Sequence, residues 1–519
     1  MKKIVYWGIG RIGKKCMEYF DDKHPQFLID SHCTDKEYKG IPIYNPRDIK
    51  NWNELYIVIT IADSALIKEF LTQKKLVEGA DFQEFRDFFD IRNEKAEENI
   101  ERLRNTVKKN RDLRNRTLIF AMPFTIRQSD ILINFLRKYA NTEKCILVHD
   151  LGFISEKKAS EQLGFPAFRA AKMSNWNIRD KENCKDDVLE ITDLNTEEKT
   201  WIESLNCRKH ISNETENLIN MQQEYQYLKT IIAIFKPRNM IIWGCWAYNS
   251  YMLGHICKMS RIPCGYMEHG WIPGTYQFDP IGIAGQSRCA EQLNPEIDFD
   301  GLKIKRIKKY IVDNMLDSGE FQFSPSDEEQ IRSIDRSKKI VFLVGMDDLG
   351  MGINPVSDYW KEFVSSVVSS TGEAFEYIKK ICLKHNWNFI FKPHPGNDAY
   401  MYEPNDCIFN DIQIDRLIKI ADVIVSISSA VNYKTLLYGK PLVQIGTTCL
   451  SRKNCCYETA SKEQIEENLV AALENGMTNQ QIYNFDTHLA MLLDNYLWDD
   501  LSERSIRYGL TFDKDFPYL

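Results

Sequence analysis

The stretch from Trp387 to Gly446 constrains the fold more than any other part of the chain. It opens as an apolar strand, Phe389-Ile390-Phe391, and breaks at Lys392-Pro393-His394-Pro395-Gly396. A second strand, Ala421-Asp422-Val423-Ile424-Val425, runs into Ser426-Ile427-Ser428-Ser429 and then a helically spaced segment from Ala430 to Tyr438. Gly439-Lys440-Pro441 stops that helix, and Leu442-Val443-Gln444-Ile445 reads as the next strand. Strand, loop, helix and strand in this order predict a parallel α/β unit. Ligands of such units gather beyond the carboxyl ends of the strands. Here those ends carry a histidine held by two prolines and a serine cluster opening a helix. Both suit an anion, phosphate first among them.

At 519 residues the chain is too long for one core, and typical domain sizes predict about three domains. Its 43% hydrophobic and 27% charged residues are the proportions of a soluble globular protein. A net charge of -7 argues against a nucleic-acid partner, which selects for a basic excess. There is no long uncharged apolar run and no signal peptide, since Met1-Lys2-Lys3 leads straight into a strand and a glycine loop. The 14 cysteines are scattered without Cys-x-x-Cys pairs, which fits a reducing cytoplasm better than a disulfide framework or a zinc site. Neighbouring Cys455 and Cys456 read as buried or bystander thiols.

The chain begins with a compact α/β module. Ile4-Val5-Tyr6-Trp7 is a strand, Gly8-Ile9-Gly10-Arg11-Ile12-Gly13 a glycine-rich turn into a helix, and Phe27-Leu28-Ile29 a strand ending at Asp30. Leu55 to Ile61 is a third strand. Gly8, Gly10 and Gly13 would let the backbone approach a pyrophosphate, with Asp30 near the place of a ribose-binding acid. The same turn also serves simply to pack helix on strand. The module ends near Arg92 without the second half that closes a dinucleotide site, so hydride transfer is not expected of it. It resembles the small Rossmann-like domains attached to bacterial sugar-modifying and sugar-transferring enzymes, down to Phe27-Leu28-Ile29-Asp30 followed by Tyr38-Lys39-Gly40-Ile41-Pro42-Ile43. Asn93 to Arg116 is highly charged, with Ile100, Leu103 and Val107 at helical spacing, and reads as a linker helix.

A second α/β block follows. Thr117–Met122, Cys145–Val148 and Met240–Trp243 read as strands, Ile131–Tyr139, Glu214–Phe235 and Tyr248–Met259 as helices, and Ser155–Arg208 stays unassigned. The strand Cys264-Gly265-Tyr266-Met267 ends in Glu268-His269-Gly270-Trp271, and a loop Phe278-Asp279-Pro280-Ile281-Gly282 comes shortly after. A carboxylate at the carboxyl end of a strand, beside a glycine that lets substrate approach, is a candidate base or nucleophile. An acid tied into a turn is the plain alternative. Leu302–Met315 carries Lys303, Lys305, Arg306, Lys308 and Lys309, a solvated helix face or, alternatively, a contact with an anionic membrane surface. Ser324 to Glu329 suggests another boundary. The third block starts with Lys339–Val344 as a strand, and its final helices, Lys462–Glu474 and Thr487–Tyr496, could cross back onto the preceding block.

Two successive α/β blocks with polar residues at their strand ends predict a cleft between Rossmann-like domains. Glu268-His269-Gly270 with its following proline and Asp-Pro-x-Gly loop, Lys392-Pro393-His394-Pro395, and Ser426-Ile427-Ser428-Ser429 followed by Leu436-Leu437-Tyr438-Gly439-Lys440-Pro441 occur in one order. This ordered set resembles the bacterial capsule polysaccharide biosynthesis family, Kdo-transferase-like glycosyltransferases, between Thr117 and Gly446. The fold class so implied is α/β, a GT-B-like pair of Rossmann-like domains preceded by a small Rossmann-like one. The domains expected are a module at 1–92, a linker helix at 93–116, an acceptor-side domain at 117–325 and a nucleotide-donor domain at 326–519.

The resemblance also implies roles. In related CMP-sugar transferases the His-Pro histidine and the serine motif hold the donor phosphate, which falls here on His394 and on Ser428 and Ser429, with Ser426 a weaker candidate. Lys392 adds charge near that phosphate or packs its stem at the domain edge. The acid of the Glu/Asp-x-Gly motif falls on Glu268, with Asp279 as an alternative nucleophile. His269 departs from the acidic or amide residue familiar at the middle of that motif. No tightly bound cofactor and no metal are expected, so leaving-group charge would be met by protein donors and a helix end. The implied partners are a CMP-linked nucleotide-sugar donor, a glycan or glycolipid acceptor and a peripheral contact with the inner face of the plasma membrane. A CDP-glycerol or CDP-ribitol polyol phosphotransferase, which also uses a Lys-x-His-Pro segment and a serine motif, stays open, as does a nucleotide-sugar-binding regulator. The choice between retention and inversion is open as well.

Overall fold

The computed structural model describes residues 2–19, 24–31, 33, 35–61, 64–89, 95–121, 126–150, 154–171, 194–206, 214–245, 247–292, 301–316, 325–346, 348, 358–394, 408–409, 412–499, 508 and 510. The expected boundaries at Arg92 and Ser324, Asp347, and the Pro395-Gly396 end of the His-Pro turn lie outside these residues. The chain divides into two compact units, 1–99 with 121–172, and 100–120 with 173–519.

In the first unit, six strands lie in the order Glu37–Tyr38, Ile41–Tyr44, Phe27–Ile29, Lys3–Trp7, Leu55–Ile59, Phe82–Glu84. All pairings are parallel except that between the first two. Val5, Trp7, Ile57 and Ile59 bury one face and Tyr6, Leu28 and Val58 the other, the pattern of a sheet covered on both sides. The order reverses beside Lys3–Trp7, so Gly8 stands at the switch point. A β-carbon on Gly13 would lie 2.0 Å from the Gly8 carbonyl oxygen, which Thr60 Oγ1 also donates to at 2.7 Å. Asp30 accepts the Ile9 amide and the Cys33 amide, both at 3.0 Å, so its carboxylate holds the glycine loop in shape. The strands Cys145–His149 and Ala167–Arg169 of this unit pair in parallel.

The second unit is built on two sheets. In one, Leu497–Asp499, Thr275–Asp279, Cys264–His269, Asn239–Trp243 and Thr117–Ala121 follow in that order. The last three are parallel, while Thr275–Asp279 runs antiparallel to both its neighbours. In the other, Asn388–Lys392, Ile340–Val344, Val423–Ser426, Leu442–Gln444 and Tyr457–Glu458 are all parallel. Ile340–Val344 is buried at every position, as an unbroken apolar run in a central parallel strand must be.

The helices Glu214–Phe235, Tyr248–Met259 and Ala96–Lys109 form where the apolar spacing predicts them. The unassigned stretch contains Glu156–Leu163, started by the Ser155 side chain and ended by left-handed Gly164, then Ala167–Arg169 and Thr196–Asn206, with 172–193 outside the described residues. Helix Asn479–Met491 passes through a π turn, and the chain then adds Leu497–Asp499 antiparallel to Thr275–Asp279, so the carboxyl-terminal region does cross back onto the earlier sheet. Helix Gly301–Met315 lies against this region. Lys303 pairs with Asp494 at 2.5 Å and Lys308 with Asp486 at 2.8 Å, which occupies two of its five basic side chains. Among the described residues no helix is long and apolar enough to cross a membrane.

Candidate active site

Glu268 sits at the carboxyl end of Cys264–His269, one strand from Gly244 at the end of Asn239–Trp243. Its Oε1 accepts the His269 amide at 3.0 Å. Its Oε2 faces Gly244, where a β-carbon would lie 3.6 Å away and where φ is +69°, a conformation glycine tolerates best. The residue keeps some solvent contact, but protein crowds its carboxylate. Burial therefore pushes the Glu268 carboxyl up to about 7, against the pull of the His269 amide. A carboxyl that exchanges its proton near neutrality is matched to general acid–base work.

Cys245, directly after Gly244, accepts the Ile283 amide on its sulfur at 3.3 Å and lies 3.5 Å from the Tyr359 hydroxyl. Tyr359 belongs to helix Asp358–Phe363 on the other sheet and donates to Gln286 Oε1 at 3.0 Å. The turn Ala284–Gln286 fits against that sheet so closely that a β-carbon on Gly285 would lie 1.9 Å from the Phe363 carbonyl and 2.9 Å from that of Thr447. A second tie is aromatic. Trp271, three residues after Glu268, stacks on Tyr433 at 5.6 Å and on Tyr496 at 5.9 Å between ring centres. Tyr433 is in helix Val431–Leu437, which the serine cluster opens. The carboxyl ends of the two sheets are thus joined through 271–286, with the Glu268 segment on one side and the serine turn on the other.

At the second sheet, Val423–Ser426 and Asn388–Lys392 flank Ile340–Val344, so their ends are two strand spacings, about 10 Å, apart. His394 is exposed just beyond Lys392. The turn carrying it passes so near Gly345 that a β-carbon there would lie 2.9 Å from the His394 amide nitrogen. Lys392 donates to the Phe409 carbonyl at 3.4 Å, so its ammonium also pins the neighbouring segment. Ser428 and Ser429 are half-buried, and Ser429 Oγ accepts the Val431 amide at 3.2 Å. Beneath them, Ser426 Oγ, both amide atoms of Asn432 and Thr435 Oγ1 are buried without a hydrogen-bond partner among the described residues. Four such atoms at one junction are unusual in a native fold. Asn432 and Thr435 were invisible to motif reading because nothing in the sequence distinguishes them from ordinary helix residues.

Asp279 has a different position. It is fully buried and accepts the Ile281 amide (2.9 Å), the Gly282 amide (3.4 Å), the Arg288 amide (2.9 Å) and the Tyr496 hydroxyl (2.9 Å). Burial raises its pKa while these donors oppose the rise. This geometry makes Asp279 the fastener of the 279–288 turn and leaves the open carboxylate to Glu268. Asp348 is likewise consumed, accepting the Thr371 hydroxyl at 2.6 Å and its amide at 2.7 Å. Gly8, Gly10 and Gly13 belong to the first unit. The described cysteines are free thiols, with Cys455 and Cys456 both buried. Among the described residues no group of three or more histidine, cysteine or acidic side chains is gathered as a metal site.

No family model matches the sequence, and no curated protein matches it. Solved structures do. The chain is similar to the KpsC beta-Kdo 2,7 transferase of Thermosulfurimonas dismutans at 17% identity, over 53% of this chain and 82% of that one, with a TM-score of 0.32. The KpsC beta-Kdo 2,4 transferase of the same organism gives 13%, 50%, 80% and 0.32. The UDP-GlcNAc 2-epimerase of Methanocaldococcus jannaschii gives 11%, 72%, 97% and 0.33. Likenesses this distant carry no weight for the activity of this chain, which rests on its own residues.

Proposed function

We propose that the protein is a glycosyltransferase of bacterial surface-polysaccharide assembly. It moves a sugar, an ulosonic acid such as Kdo, from a CMP-activated donor to a hydroxyl of a glycan or glycolipid acceptor. One observation carries this reading: the Glu268 carboxyl, pushed up to about 7, stands at a strand end tied by the Trp271–Tyr433 stack to the serine turn of the facing sheet. That pairs a proton acceptor with an anion-binding turn, the two groups a sugar transfer from a nucleotide requires. The ordered motifs of the sequence support the CMP-sugar class of donor.

In this mechanism His394, Ser428 and Ser429 hold the donor phosphate. The acceptor hydroxyl oxygen bonds to the anomeric carbon and gives its proton to Glu268. The bond from that carbon to the phosphate oxygen breaks, and its electron pair leaves with the nucleotide. His394 and the serine hydroxyls meet the charge that grows on the phosphate. The protein would act in the cytoplasm, at the inner face of the membrane where a glycolipid acceptor is presented.

Incubating the full chain with CMP-, CDP- and UDP-activated donors and measuring released nucleotide tests the reading. CMP release from a CMP-ulosonic acid, abolished in Glu268→Gln, is the expected result. Turnover of a CDP-polyol instead would move the attack from carbon to phosphorus. Silence toward every donor would leave only a binding role.

A further inference from the structure

The buried polar groups near Glu268 include one whose state the turn geometry does not explain. Gln277 lies directly opposite Glu268 in the antiparallel pairing of Thr275–Asp279 with Cys264–His269. Opposed residues in such a pair project from the same face of the sheet, with β-carbons about 5 Å apart. Gln277 is 2% exposed, and its Nε2 donates to the His269 carbonyl at 2.7 Å. That bond fixes which end of the amide is which. Gln277 Oε1 is buried and has no hydrogen-bond partner among the described residues. A buried acceptor left unpaired is costly, and native folds keep few of them. Here the orphan belongs to the residue paired directly across from Glu268.

We propose that Gln277 is a substrate-binding residue whose Oε1 accepts a hydrogen bond from the hydroxyl-bearing reactant, holding it against Glu268. The assignment rests on Glu268 being the base. A water molecule or sugar hydroxyl group presented there gives a hydrogen bond to Gln277 Oε1, which fixes the oxygen while Glu268 takes the transferred proton. For water, one O–H points to Gln277 and the other to Glu268. For a sugar acceptor, a neighbouring hydroxyl makes the Gln277 contact while the reacting one faces Glu268. The ligand class is therefore a polyhydroxylated acceptor, and the amide is a positioning contact that the active-site motifs do not include. Because Oε1 is buried, the contact forms only where the strand end around His269 gives way to the reactant.

Donor hydrolysis tests this without knowledge of the acceptor, because water then supplies the hydroxyl. The probe is whichever member of the CMP-, CDP- and UDP-donor panel the parent chain cleaves. Gln277→Leu keeps the bulk and removes the acceptor atom. It should lower kcat about tenfold, the loss of one hydrogen bond of about 1.4 kcal/mol, and leave the KM for donor unchanged. Gln277→Glu restores an acceptor oxygen and adds a negative charge beside Glu268, which raises the pKa of the base, so the acidic limb of its pH–rate profile should move to higher pH. A purely structural Gln277 would give a lower melting temperature in both variants, with kcat and the pH profile as in the parent, and that outcome would overturn the assignment. If Gln277→Leu does not fold, the pH profile of Gln277→Glu still decides. Failure of the parent to cleave any donor defeats the transferase reading and this inference with it, whereas cleavage that is indifferent to Gln277 defeats the inference alone.

Discussion

Replacing Glu268 with glutamine removes the charge and keeps the shape, so its consequences can be worked from the structure. Glutamine Oε1 can still accept the His269 amide, and its Nε2 takes the place of the oxygen facing Gly244. The carboxyl is raised from an ordinary 4.5 to about 7 by burial, so the folded protein binds its proton more tightly than the unfolded chain does. Such a group favours folding at acid pH relative to neutral pH. Stability attributable to it is lost as pH climbs from about 4.5 through 7. The full difference is worth about 3 kcal/mol, trimmed to about 2–3 kcal/mol by the solvent that still reaches the residue. Glu268→Gln should therefore match the parent at pH 5 and exceed it by that margin at pH 8. Hydrogen exchange at the amides of Cys264–His269 reads this directly, with protection in the variant roughly 30- to 150-fold above the parent at pH 8. Donor cleavage should fall about 100- to 10,000-fold at the same pH, as removal of a general base does. Equal pH dependence of protection in the two proteins would refute the raised carboxyl. Undiminished cleavage would refute its role as base.

His394→Ala, and separately Ser428→Ala with Ser429→Ala, should weaken CMP binding by roughly ten- to hundredfold, the loss of a hydrogen bond to a charged group worth about 1.5–3 kcal/mol. Isothermal titration checks this, and unchanged affinity in folded variants would make them surface turn residues. Asp279→Ala leaves the Ile281 and Arg288 amides and the Tyr496 hydroxyl without their acceptor, so it should cost at least about 3 kcal/mol of stability in urea unfolding. A stable Asp279→Ala protein that binds donor and fails to transfer would return Asp279 to the chemistry. Gly13→Ala puts a methyl group 2.0 Å from the Gly8 carbonyl oxygen and should unfold the glycine loop, seen as loss of amide protection in the first unit, while donor cleavage continues. Loss of cleavage together with the loop would show that the first unit serves the reaction.

The chain's own residues determine its α/β character directly. Apolar runs such as Ile340–Val344 and Val423–Val425 can only be buried strands, and the breakers at Gly439-Lys440-Pro441 end the helix before Leu442–Gln444. Glu268, Lys392, His394 and the serines could be singled out because each ends or follows a readable strand, where parallel sheets expose backbone and side chains to ligands. Tertiary structure decided which carboxylate is open and which is consumed. Glu268 and Asp279 are both acids at the ends of strands, and only the fold gives one a glycine neighbour and the other a closed set of donors. The Trp271–Tyr433 stack left no motif because its two rings are far apart in sequence, and Gln277 and Asn432 left none because their burial is set by the packing around them. Local pattern reports what a residue prefers as its surroundings. Whether a buried oxygen finds a donor, and how far a carboxyl is stripped of water, depends on atoms that distant segments bring to it, and those distances exist only once the chain has folded.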